Sequence, residues 1–257
     1  MGSDNEFIYD DTWRLFRIMS EFVEGFETMS QIGPAVSIFG SSRTPRSHHH
    51  YKKARTLGRM LAERDFAIIT GGGPGIMEAA NRGAYDVGGI SVGLNIMLPR
   101  EQRSNPYITT SLDFKYFFAR LVMFVKYASS FICFPGGYGT LHEFFNSMSL
   151  IQTAKAERFP VILIGRSYWR GLVDWMSKSM LQDTYKKIDP ADLKLFTVTD
   201  SLGEAARIVV EAREQAKRRE AAPARIGMHQ ITGEGTFAGK PPSTHPPPKA
   251  KRKRREK

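Results

Sequence analysis

The chain has 257 residues, of which 41% are hydrophobic and 25% charged, a balance typical of a soluble globular protein. It contains no run of 18 apolar residues, which excludes a membrane-spanning helix of ordinary length. Its single cysteine, Cys133, excludes an intrachain disulfide and a cysteine-based zinc site, and the reducing cytoplasm is the expected compartment. The net charge of +11 is unevenly spread. Glu211–Lys257 holds 13 Lys/Arg against 5 Asp/Glu, whereas the first 210 residues hold 24 against 21, so the high isoelectric point mainly describes the tail.

The acidic start, MGSDNEFIYDDTW, lacks the basic and apolar regions of a secretory signal. Over residues 10–30, Trp13, Phe16, Met19, Val23 and Phe26 recur every three or four positions, which predicts an amphipathic helix packed on the core or on a partner. Gly33-Pro34 ends this first segment, residues 1–32. Short apolar runs then alternate with helical patterns. Strands are expected at Ala35–Phe39, Phe66–Thr70, Ile90–Leu94, Phe131–Phe134, Val161–Ile164 and Leu195–Val198, with helices starting near Tyr51, Pro74, Phe114, Thr140, Tyr168 and Leu202. Continuously apolar strands are those buried on both faces. Residues 33–220 are therefore read as one α/β domain, a doubly wound (Rossmann-like) parallel sheet with helices on both faces and right-handed crossovers. From 221 to 257 the pattern stops. Proline clusters and the run Lys249–Lys257 cannot bury enough apolar surface to offset ordering entropy, and a disordered tail is expected.

Two glycine clusters each follow a strand and open a helix: Gly71-Gly72-Gly73-Pro74-Gly75 and Pro135-Gly136-Gly137-Tyr138-Gly139-Thr140. Either alone is equally well a tight strand-to-helix turn. Two at the carboxyl edge of one sheet favour backbone amides converging on a phosphate. The first cluster lacks the third glycine of a dinucleotide fingerprint, Asn95 stands about where an acidic ribose ligand would fall, and no Walker A loop occurs. NAD and nucleoside triphosphates are disfavoured, leaving a nucleoside monophosphate or sugar phosphate and no cofactor. No His and carboxylate set has metal-ligand spacing. Glu143 lies in the first turn after the second cluster, where a carboxylate either complements the helix dipole or faces the ligand. Arg120 lies in the very apolar segment Phe114–Ala128, where a buried cation needs a partner that an anionic ligand could supply.

Pro135–Glu143, P-G-G-Y-G-T-L-H-E, resembles the P-G-G-x-G-T-x-x-E motif of the LOG (Lonely Guy) family, long labelled "lysine decarboxylase". Gly71–Met77 resembles that family's first glycine loop and Phe39–Ser42 its first strand end; the likeness runs from about Gly33 to Leu202, and the stretch Glu101–Tyr107 resembles the longer bacterial branch. The resemblance implies a nucleoside 5′-monophosphate phosphoribohydrolase that releases a free base and ribose 5-phosphate from AMP or cytokinin riboside monophosphates. It implies Arg120 and Glu143 as the catalytic pair, with substrate contacts at Gly72, Gly73, Gly136, Gly137, Gly139, Thr140, Glu101 and Ser149, and a homodimer or higher homo-oligomer. Two departures from the pattern stand out. Leu121 follows Arg120 where a lysine is usual, and His142 precedes Glu143 where an acid is usual. Two rival classes remain: a non-catalytic nucleotide or cofactor carrier, which would not need the Arg120–Glu143 pair, and a nucleic-acid-associated protein, suggested only by the basic tail. The run His48–His50 is read as solvated loop residues, since adjacent histidines do not share a face. His142 is read as a helix-surface residue and Cys133 as a small buried hydrophobe.

Overall fold

The computed structural model describes residues 4–97, 104–153, 155, 158–182 and 184–221, with side chains from Thr12 to Arg219. Glu101 and the basic tail lie outside the described residues. Among the described residues seven strands form one all-parallel sheet: β1 (Ala35–Phe39), β2 (Ala67–Thr70), β3 (Ser91–Ile96), β4 (Thr110–Phe114), β5 (Ala128–Cys133), β6 (Val161–Ile164) and β7 (Phe196–Thr199), in the spatial order β4-β3-β2-β1-β5-β6-β7. The order reverses at β1, which pairs with both β2 and β5. The loops leaving β1 and β5 therefore part in opposite directions and open a crevice at the carboxyl edge, the position where doubly wound sheets hold ligands.

The central strands are buried along their length and mainly apolar because both faces are covered. Val36, Ile38, Ile68, Ile132 and Ile162 pack under α2 (His49–Ala62), α3 (Ile76–Tyr85) and α7 (Leu202–Ala221). Ala35, Phe39, Ile69, Phe131 and Leu163 pack under α1 (Asp4–Met29), α4 (Phe117–Tyr127), α5 (Tyr138–Gln152) and α6 (Arg166–Trp175). Phe39 sits edge-on between Phe124 and Phe131, with ring centroids 4.9 and 5.1 Å away. Trp169 is fully buried and donates its indole N–H to the Ile164 carbonyl at 3.1 Å, so its one polar atom carries no desolvation cost.

Two expectations are corrected. Thr110–Phe114 is a seventh strand at the sheet edge, and Phe114 is its last residue, not the start of a helix. Only Leu112 and Phe114 are buried in this strand, while Ser111 and Asp113 are exposed; an edge strand alternates and lacks the continuous apolar run that marks its neighbours. The helix that follows starts at Phe117, and its start is capped from outside: the Glu21 carboxylate of α1 accepts the Lys115 and Tyr116 amide N–H groups at 2.8 and 3.3 Å. The second correction concerns His48–His50. His48 and His49 are exposed, as expected, but the three rings lie close together at the start of α2, with centroids 4.0–5.2 Å apart, and partial burial of His50 beside the two further imidazoles lowers its pKa to about 4.

The carboxyl end of α1 is built into the domain. Met29 and Ile32 are buried, and Gly25 sits so close to Met123 of α4 that an added methyl would lie 2.7 Å from its Cε. The opposite side of α1 is not covered: Trp13, Phe16, Met19 and Val23 are each more than half exposed, as is Phe117 of the adjoining α4. Among the described residues no helix is long and apolar enough to cross a membrane.

Candidate active site

Both glycine loops reach the crevice, and one residue ties them together. Ser41, just after β1, donates its N–H to the Pro135 carbonyl at 3.0 Å and accepts the Ile76 N–H on its own carbonyl at 3.1 Å. The loop after β5 and the first turn of α3 are thereby fixed to the same peptide.

The first loop is shaped by glycine and held by asparagines. Gly72 has φ +74°, and a Cβ there would lie 1.8 Å from Asn95 Oδ1, so no other residue fits without moving Asn95. Its N–H donates to Thr70 Oγ1 at 3.0 Å. Its carbonyl, and that of Gly73, accept from the buried Asn105 side-chain amide at 3.1 and 3.2 Å, and Asn105 also donates to Asn81 Oδ1 at 2.9 Å. With the carbonyls turned into this buried asparagine network, the loop presents its other edge to the crevice. Gly71 lies against the Arg120 guanidinium: a Cβ at Gly71 would stand 2.3 Å from one of its terminal nitrogens.

The second loop runs into α5. Gly136 is packed against Thr140 Oγ1, which a Cβ would meet at 2.0 Å, while added carbons at Gly137 and Gly139 would point into open space. The Gly136 carbonyl accepts the Tyr168 hydroxyl of α6 at 2.5 Å. Leu141 N–H is bonded to the Gly137 carbonyl, and no side chain caps the helix start. The preceding amides are the donors that a helix N-terminus leaves without intrahelical partners, and they lie beside two glycines with open space around them.

Arg120 and Glu143 approach this space from α4 and α5. Arg120 Nε donates to the Leu94 carbonyl at 2.7 Å, and its guanidinium lies 5.1 Å from the centre of the Phe124 ring. Burial lowers its pKa and the nearby Glu143 carboxylate opposes that shift. Glu143 is 8% exposed and its Oε2 has no hydrogen-bond partner among the described residues. Burial raises its pKa, and the charges of Arg120 and then His142 only partly hold it down. His142 is exposed, as its place on the helix surface predicts, but its Nδ1 lies 3.8 Å from Glu143 Oε1. One turn further along α5, Asn146 Nδ2 is also buried without a partner. An unpaired acceptor and an unpaired donor three residues apart share one helix face. Buried groups of this kind carry a desolvation cost that a bound ligand would relieve.

The sequence-predicted residues thus divide. Gly72, Gly73, Gly136, Gly137, Gly139, Thr140, Arg120 and Glu143 all stand on the two loops or on the helices that carry a charge to them. Ser149 is exposed on α5, about 9 Å beyond Glu143 along the helix axis, and its carbonyl accepts from Thr153. Four supporting residues escaped the sequence reading: Asn95 as a wall of the first loop, Asn105 as its clamp, Asn146, and Tyr168 as the clamp of the second loop. Only Asn105 carried a signal, the Asn-Pro step that marks a turn. Cys133 is fully buried and burial pushes its thiol pKa up, as a packed hydrophobe requires.

The comparisons with known proteins bear on the family and the fold. The chain is 26% identical over 180 residues to a probable cytokinin riboside 5′-monophosphate phosphoribohydrolase of rice, Oryza sativa subsp. japonica, covering 69% of this chain and 76% of that protein. It is 31% identical over 130 residues to the pyrimidine/purine nucleotide 5′-monophosphate nucleosidase of Escherichia coli strain K12, covering 46% of this chain and 28% of that longer protein. In fold it is similar to the X-ray structure of a structural-genomics target (TM-score 0.52, 24% identity, 69% of this chain and 99% of that one). It is likewise similar to the molybdenum cofactor carrier protein of Chlamydomonas reinhardtii (TM-score 0.53, 18% identity, 70% and 98%). The family model described as possible lysine decarboxylase matches residues 77–209, just over half of the chain, and with the P-G-G-Y-G-T-L-H-E loop placed at its crevice the protein belongs to this family, the LOG family.

Proposed function

We propose that the protein hydrolyses the N-glycosidic bond of a nucleoside 5′-monophosphate, AMP or a cytokinin riboside monophosphate, giving a free base and ribose 5-phosphate. The observation that carries the reading is Glu143: a buried carboxylate with an unpaired oxygen, lifted in pKa, electrically coupled to Arg120 and set beside a phosphate-type loop. In this reading the 5′-phosphate rests on the amides that open α5, with the first glycine loop and Arg120 closing the opposite side. Anchoring that remote group positions the ribose and supplies binding energy at the reacting carbon. As the C1′–N bond breaks, the ribose acquires oxocarbenium character, and the Glu143 carboxylate stabilises that charge. It also accepts the proton of the water that adds its oxygen to C1′ and returns it to solvent, from which the departing base takes a proton at its ring nitrogen. The raised pKa makes Glu143 a stronger base than a solvated carboxylate.

The carrier reading, with which the fold likeness to the molybdenum cofactor carrier is compatible, gives Glu143 no task. A site evolved only to hold an anion gains nothing from an unpaired buried carboxylate facing it. Incubation with AMP and isopentenyl-AMP, with chromatography for free base, tests the proposal. Release well above the no-enzyme rate is expected. Tight nucleotide binding without release would favour the carrier.

A further inference from the structure

A second charged concavity lies on the other side of the sheet from Arg120 and Glu143, in the groove between α2 and α3. It encloses about 430 Å³ and is lined by Arg46, Lys52, Arg55, Arg59 and Arg82, with the hydroxyls of Tyr51 and Thr56. On α2, Lys52, Arg55, Thr56 and Arg59 follow an i, i+3, i+4, i+7 spacing, so they form one stripe about 10 Å long. Two of the five cations are already neutralised: Arg46 Nε meets Glu78 Oε1 at 2.7 Å, and Arg55 meets Asp86 Oδ2 at 2.6 Å. Lys52, Arg59 and Arg82 have no carboxylate partner among the described residues. Arg82 is held by a side-chain hydrogen bond with Tyr51 and by stacking, its guanidinium 5.1 Å from the centre of the Tyr107 ring, yet its buried Nε has no hydrogen-bond partner among the described residues. Tyr107 in turn meets the half-exposed Tyr85 edge-on at 5.8 Å, so an aromatic surface borders the cations.

We propose that this groove is a second anion site, which takes the linked phosphoryl groups of a small polyphosphate such as a nucleoside triphosphate. Lys52 and Arg59 stand at the two ends of the stripe, so a chain of phosphoryl groups spans the lining cations more fully than a single phosphate and can also supply the acceptor that Arg82 Nε lacks. The volume suits a small ligand. A nucleic acid needs a longer basic track, and the first 210 residues are nearly balanced in charge. The tyrosine pair beside Arg82 offers a surface on which the base of such a nucleotide stacks.

The test is calorimetric titration of the full chain with inorganic tripolyphosphate in 150 mM KCl, compared with the K52E/R59E variant and with K52A/R59A in case charge reversal hinders folding. Both substitutions are on the exposed side of α2, so melting temperature and turnover are expected to match the wild type. Tripolyphosphate is expected to bind the wild type and to bind either variant on the order of tenfold more weakly or worse. Saturating ribose 5-phosphate is expected to leave this binding unchanged, whether or not the proposed hydrolysis is correct. The proposal is overturned by equal affinity in wild type and variants, which would place the anion elsewhere, including on the basic tail. It is also overturned by the absence of binding, by displacement with ribose 5-phosphate, or by orthophosphate binding as tightly as tripolyphosphate. Single-stranded DNA binding more tightly than tripolyphosphate and failing in the same variants would make the groove a nucleic-acid surface instead.

Discussion

Replacing Glu143 with glutamine separates stability from catalysis. In the folded protein burial disfavours the Glu143 carboxylate more than Arg120 and His142 favour it, so the balance, with both attractions included, lies against the charge. That balance is a stability cost of the charge itself, which the substitution removes, and each unit of raised pKa corresponds to about 1.4 kcal/mol. Glutamine keeps the shape and removes the charge. For a folded unit of this size, 1 kcal/mol moves the melting temperature by about 2–4 °C, and Glu143→Gln is expected to melt at least that much above the wild type at pH 8. The sign follows from linkage: a carboxyl with a raised folded pKa contributes stability that is intact below its unfolded pKa of about 4.3 and is lost as pH rises through the folded pKa. The gap between variant and wild type should therefore close as the pH approaches 4. Turnover of a nucleoside monophosphate should fall by about 10²- to 10³-fold, because the lost group acts on charge that develops in the transition state. The assays are calorimetry at both pH values and chromatography of released base. A variant that melts below the wild type at pH 8 and keeps turnover within tenfold would refute the reasoning and leave Glu143 as a structural residue of α5.

Four further outcomes are expected. The acid limb of the pH–rate profile should reflect the raised Glu143 pKa and lie above the ordinary glutamate value of about 4.3; a limb at or below that value would contradict the assignment. Asn105→Ala strips the Gly72 and Gly73 carbonyls of their side-chain donor and should destabilise the fold by about 1–3 kcal/mol, raising KM more than it lowers kcat, as steady-state kinetics and denaturant melts would show. We propose that the uncovered face of α1 and α4 pairs with a second copy: light scattering should give twice the 29.0 kDa chain mass, and Phe16→Glu with Phe117→Glu should return the monomer mass. Removal of residues 222–257 should leave turnover and assembly unchanged while abolishing retention on DNA at low salt.

The parts of the site legible in the sequence are those recorded locally. Glycine clusters after apolar runs gave the two loops, and first-turn placement after Thr140 marked Glu143 as a candidate that only the family motif singled out. Arg120 was legible because a cation in so apolar a segment needs a reason. What stayed hidden was made by distant contacts. Asn105 closes on a loop more than thirty residues away, and Tyr168 reaches Gly136 across 32 positions. Neither leaves a period or a spacing behind. The edge strand Thr110–Phe114 was missed for the opposite reason: its local pattern is weak, and its pairing with β3 through five register partners decides its conformation.

Ser41 bears on how this site would look to a genetic scan. Both bonds that join the glycine loops are made by its peptide groups, one through its N–H and one through its carbonyl. A side-chain survey would report it as nearly indifferent, since Ser41→Ala removes only the hydroxyl that accepts the Arg43 N–H. Proline at the same position deletes the donor to Pro135 and frees the second loop from the first. Its part in the crevice is therefore played by the main chain, so the coupling between the two halves is invisible to alanine and exposed by proline.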